Sequence, residues 1–174
     1  MKAESEGSGG GLVEPPRSVE PPRSDHGDER GLIVISVHNV ALAVPAEFVG
    51  SVSGVGSPTA LPGAPAHILG LVAAGERVLP LVDLQTLFAI PGNVAEPVDP
   101  LFRRTLFVRA ADLEAGLVCH RARGLITVAE SALEEPTVLQ GERLRPFLRA
   151  EVEARGRIVG VLDVAAVLKA AAVS

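Results

Sequence analysis

The sequence holds one cysteine, Cys119, and it is followed directly by His120. Consecutive side chains of a strand point to opposite faces, so this thiol and imidazole cannot act on each other. The expected arrangement is a buried Cys beside a surface His. A lone thiol also excludes an internal disulfide and a multi-cysteine zinc site. The remaining histidines, His26, His38 and His67, lie far apart without metal-ligand spacing, so neither metal nor cofactor is expected. Asp83 and Asp163 each precede apolar residues at helical spacing, and helix capping accounts for both without catalysis. Glu134-Glu135 reads as solvated surface. Gly70 lacks the neighbouring glycines of a phosphate loop and reads as a strand glycine that lets backbones pack closely. These residue types predict no enzyme.

The elements that hold them are short and rich in β-branched residues. Leu32–Val37 and Val40–Val44 flank His38-Asn39 as a hairpin, and Pro45 opens a short helix carrying Phe48, Val49 and Val52. The turn-forming run Leu61-Pro62-Gly63-Ala64-Pro65 precedes an apolar segment from Ile68 to Val72. Gly75-Glu76 then turns the chain into Arg77–Val82, and Asp83 caps a short helix. Later strands are predicted at 105–110, 116–120, 124–128, 145–154 and 157–162, and Asp163 caps a terminal helix through Ala172.

An internal repeat organises these pieces. Arg77-Val78-Leu79-Pro80-Leu81-Val82-Asp83-Leu84-Gln85-Thr86-Leu87-Phe88 aligns without gaps on Arg157-Ile158-Val159-Gly160-Val161-Leu162-Asp163-Val164-Ala165-Ala166-Val167-Leu168. A second echo sets Arg30, Leu32, Val34, Val44 and Gly50 against Arg104, Leu106, Val108, Val118 and Gly124. Two related halves of short strands imply two small barrels packed side by side.

Composition narrows the function. Hydrophobic residues make up 47% of the chain, but Trp and Tyr are absent and there are five Phe, which disfavours aromatic-lined ligand pockets and base-stacking platforms. Net charge is −5 and no basic stripe tracks a phosphate backbone, so nucleic acid is not an expected partner. No apolar run reaches the ~20 residues of a membrane span, and the chain reads as cytoplasmic without direct membrane insertion. Residues 1–30, with the tandem copy Val13-Glu14-Pro15-Pro16-Arg17-Ser18 and Val19-Glu20-Pro21-Pro22-Arg23-Ser24, read as a disordered Pro/Gly/Ser-rich tail.

The central stretch, from the Leu61–Pro65 turn through Gly70 to Val78-Leu79-Pro80-Leu81-Val82-Asp83-Leu84, resembles the CheW-like domain of bacterial chemosensory adaptors. Pro80, Asp83 and Leu84 fall in register with that family, while Ala73-Ala74-Gly75-Glu76 stands where it carries Asn-Leu-Arg-Gly. The resemblance implies a mainly β fold, two five-stranded SH3-like barrels side by side with short helices and a C-terminal helix. The domain would span 31–174: a first barrel at about 31–90, a connector at 90–103, and a second barrel with the helix at 104–174. It implies a non-catalytic adaptor coupling the regulatory domain of a CheA-type histidine kinase to the cytoplasmic tip of chemoreceptors in membrane-associated arrays. Carried onto this chain, the receptor groove would involve Val49, Val52, Ile68, Gly70, Leu71, Val72, Ala73, Ala74, Gly75, Glu76 and Arg77. The sequence is also compatible with two other readings: a degenerate regulator whose receptor or kinase coupling is lost or changed, and an enzyme with an unrecognised pocket.

Overall fold

The computed structural model describes residues 28–92, 99–137 and 140–172. Most of the expected tail and the centre of the connector lie outside the described residues. Ten strands form two five-stranded sheets: β1 (Glu29–Val37), β2 (Val40–Pro45), β3 (Val49–Ser53), β4 (Ile68–Ala74), β5 (Arg77–Asp83), β6 (Arg104–Ala110), β7 (Leu113–Cys119), β8 (Arg121–Ala129), β9 (Leu148–Ala154) and β10 (Arg157–Leu162). Two α-helices, α1 (Leu84–Leu87) and α2 (Val164–Ala172), follow β5 and β10.

One sheet has the order β8-β1-β2-β10-β9 and the other β3-β6-β7-β5-β4. This corrects the expected division into successive barrels at 31–90 and 104–174, because each sheet takes strands from both halves of the chain. The hairpins β1–β2 and β6–β7 are exchanged. β2 runs parallel to β10, and β7 parallel to β5. Hydrophobic patterning specifies which face of a strand is buried, but not which of two similar neighbours it pairs with. Both edge strands of each sheet line a common hollow, so each sheet curls into a small barrel.

Strand alternation divides the core. Leu42 and Val44 of β2 face the large cluster that joins the two sheets and holds Val164, Val167 and Leu168 of α2. Ala43, between them, faces the interior of its own barrel with Leu32, Val159 and Val161. The tail boundary also moves. β1 begins at Glu29, and Arg30 pairs with Glu130 at 2.8 Å, so the last residues assigned to the tail belong to a strand.

The repeat from Arg77 onto Arg157 is matched by the structure, down to the pairings Ile68↔Val82 and Leu148↔Leu162 and the irregularity beside each. The second echo is out of register by one residue. The Ile35↔Ala122 pair of β1–β8 has its counterpart in Val108↔Val49 of β6–β3, which sets Ile35 against Val108 rather than Val34. A slip of one residue in a strand exchanges its faces, and the likeness of residue types along the echo hid it. The expected helix over Phe48–Val52 is also corrected: a 3-10 turn at Ala46–Phe48 leads directly into β3.

Candidate protein-docking site

The residues expected to form the groove fall into three settings. Val49 and Ile68 are partly buried and pack against the cluster between the sheets, so they support the core more than they offer surface. Gly70 is a close-approach position. Thr59 and Leu71 exchange backbone hydrogen bonds of 2.8 Å in each direction, and a Cβ on Gly70 would stand 2.4 Å from the Thr59 carbonyl oxygen. With φ at +141°, only glycine fits there without strain. Leu71 and Val72 are half-buried, whereas Val52 is 43% exposed.

The hairpin end from Ala73 to Arg77 behaves differently. Ala74, Gly75 and Arg77 join Gly50, Ser51 and Phe107 around a hollow of about 600 Å³ at one end of the barrel. Gly75 has φ +63°, and a side chain there would meet nothing within 4 Å. Arg77 is paired with Glu114, whose other oxygen accepts from Arg109 at 2.9 Å, so one carboxylate holds two guanidinium groups at this mouth. Sequence reasoning missed Glu114 because the pair joins β5 to β7, far apart along the chain.

Both aspartates cap helices as expected. Thr86 N–H donates to Asp83 Oδ2 at 3.1 Å, and Ala166 N–H donates to Asp163 Oδ1 at 3.0 Å. Asp83 also accepts from Arg103 at 2.8 Å, a partner supplied by the connector that no local motif announces. Arg103 Nε is buried without a hydrogen-bond partner.

Cys119 is buried, and burial pushes its thiol up to about 11, away from the thiolate that a nucleophile needs. His120 is also buried, contrary to the expected surface position. Its ring Nδ1 accepts from the His38 backbone N–H at 2.7 Å, and the His120 backbone N–H donates to the Ser36 carbonyl oxygen at 3.0 Å. Burial, then the proximity of His38 and Arg103, lowers its pKa to about 4. The imidazole is therefore a neutral acceptor that ties β7 to the β1–β2 turn. Among the described residues no three His, Cys, Asp or Glu stand close enough to hold a metal ion. Among them, too, no helix is long and apolar enough to cross a membrane.

A family model described as the CheW-like domain matches residues 31–172. Similar proteins include a probable chemotaxis protein CheW of Rhizobium etli, 23% identical over 139 residues that cover 79% of this chain and 86% of that protein. The chemotaxis protein CheW of Bacillus subtilis is 26% identical over 137 residues, covering 79% and 85%. Among solved structures, the scaffolding protein TtCheW of Thermoanaerobacter tengcongensis superposes with a TM-score of 0.69 at 19% identity, covering 77% of this chain and 88% of that one. The family match spans both barrels and α2, and on that ground the chain belongs to the CheW-like domain family.

Proposed function

We propose that the protein is a non-catalytic coupling adaptor of a chemosensory system. It binds the regulatory domain of a CheA-type histidine kinase and the cytoplasmic tip of chemoreceptors, and holds them in one cytoplasmic assembly. The observation that carries this reading is family membership over residues 31–172. The buried high-pKa thiol and the buried neutral imidazole support it, since neither is poised for chemistry. Receptor capture is assigned to the edge strands β3 and β4, where Val52 is exposed and Leu71 and Val72 are half-buried, and to the Ala73–Arg77 turn, where a helical hairpin would bury aliphatic surface. Val49, Ile68 and Gly70 act there by shaping the backbone.

A second reading, a regulator with altered coupling, is favoured by Gly75-Glu76 in the turn where the family carries Arg-Gly. Isothermal titration against the cognate kinase regulatory domain separates the two. The adaptor binds at tens of micromolar without ATP and without modification of either protein. Absence of heat and of co-elution leaves the altered regulator.

A further inference from the structure

The two barrel mouths are related by the internal repeat but differ in charge. At the β3–β4 mouth Glu114 holds Arg77 and Arg109. The register that matches Val108 to Ile35 sets Glu114 against Ala41, Arg109 against Ser36 and Gly50 against Arg123, and the matching β4–β5 and β9–β10 hairpins set Gly75 against Arg155 and Arg77 against Arg157. The β8–β9 mouth therefore lacks the carboxylate and the arginine at the Arg109 position, and carries Arg123 and Arg155 beside Arg157, three arginines against two. It is a hollow of about 160 Å³ lined by Val34, Leu125 and Val159 with Arg123, Arg155 and Arg157 around it, and no acidic side chain among its lining residues. Arg157 donates to the Asn39 carbonyl oxygen at 3.3 Å. Arg123 and Arg155 are exposed and make no ion pair among the described residues. Leu125 is 64% exposed at the same opening.

We infer that this mouth is a docking site for an acidic segment of a second protein, one that inserts an aliphatic side chain between flanking carboxylates. Charge complementarity selects the partner. Three arginines and no acidic residue line one opening of a chain whose net charge is −5, and an anionic partner complements that local excess of positive charge. The hollow is below the ~300 Å³ at which small-molecule sites begin, a scale suited to one side chain. Leu125 and Val159 supply apolar surface for it, and the arginine forks suit carboxylates on either side. The inference rests on the geometry of this mouth and stands whether or not the kinase or receptor binds.

The test is a titration of the full-length, ¹⁵N-labelled protein with the peptide acetyl-Glu-Leu-Glu-Glu-amide, followed by amide chemical shifts. Shifts at Leu125, Ile126, Arg155 and Val159 are expected, weakening steeply with salt. Acetyl-Lys-Leu-Lys-Lys-amide should leave those amides unmoved, and acetyl-Glu-Ser-Glu-Glu-amide should bind more weakly. The variant Arg123→Gln with Arg155→Asn, in which Asn suits the left-handed backbone at φ +52°, should bind about fivefold more weakly. Leu125→Glu, at an exposed position, should abolish the response. No shift at several millimolar peptide, an equal response to the lysine peptide, or undiminished binding by the charge-removed variant overturns the inference. So does a self-association that saturates the mouth as protein concentration rises, which would assign it to a second copy. Broadening of Leu125 by a spin label on Ser18→Cys, within one molecule, would assign it to the chain's own N-terminal segment and equally overturn the inference.

Discussion

Replacing the turn Gly75-Glu76 by the Arg-Gly of its repeat mate tests how sequence, backbone and partner choice are linked here. Gly75 occupies the left-handed region at φ +63° while Glu76 does not, whereas Arg155 and Gly156 lie there together at +52° and +72°. An arginine at position 75 alone meets no atom within 4 Å, so its cost is conformational, about 1–2 kcal/mol. For a domain of this size that lowers the Tm by roughly 2–8 °C. Adding Glu76→Gly lets the second position become left-handed as well, the paired conformation that suits the twist of a two-residue hairpin. The double variant Gly75→Arg with Glu76→Gly should thus melt within about 2 °C of the parent while the single variant does not. Losses that simply add, or a single variant as stable as the double, would refute the conformational argument. The same double variant removes a negative charge and offers a fork of donors, so at low salt it should bind a receptor tip of the common type up to about fivefold more tightly. Kinase binding should be unchanged. Equal receptor binding by parent and double variant would show that the turn is not a specificity element.

Gly70→Ala should cost about 2–4 kcal/mol by urea unfolding, because its Cβ falls 2.4 Å from the Thr59 carbonyl oxygen, while Gly54→Ala, in open space, should cost little. Asp163→Ala removes a cap and should cost about 1 kcal/mol, whereas Asp83→Ala also strands the half-buried Arg103 and should cost about 2–4 kcal/mol. Equal losses would show that the Asp83–Arg103 pair contributes nothing. His120 has a folded pKa near 4 against 6.5 when unfolded, so the unfolded chain binds the extra proton in that window. Stability from this group is complete above pH 6.5 and falls as the pH drops towards 4. His120→Gln, which keeps an acceptor for the His38 N–H, should flatten that part of the pH profile of Tm.

What the sequence disclosed was mostly local. Asp83 and Asp163 announced their helices through spacing, and the His38-Asn39, Gly75-Glu76 and Arg155-Gly156 turns marked hairpins that the structure contains. The likeness of Arg77–Leu84 to Arg157–Val164 was legible because both segments place aliphatics on matching faces before a capping aspartate. The exchange of β1–β2 and β6–β7 between sheets was not legible, since either hairpin would bury its apolar face against either partner. His120 was misread because alternation was extended one residue past the end of β7, where the His38 amide captures the ring. The groove assignment treated Val49 and Ile68 as surface, although their partial burial comes from long-range packing onto the core between the sheets. The charge difference between the two mouths needed the corrected register of β1 on β6, which no residue-type echo supplied.

An adaptor joins two other proteins without altering either. The most direct measurement mixes a receptor cytoplasmic fragment, immobilised on beads, with a CheA-type kinase, in the presence and absence of this protein. For an adaptor, the kinase is expected on the beads only when the protein is present, at equimolar stoichiometry, with no ATP requirement and unchanged masses for all three components. Kinase retention that is independent of the protein, or a covalent change in any component, would contradict it.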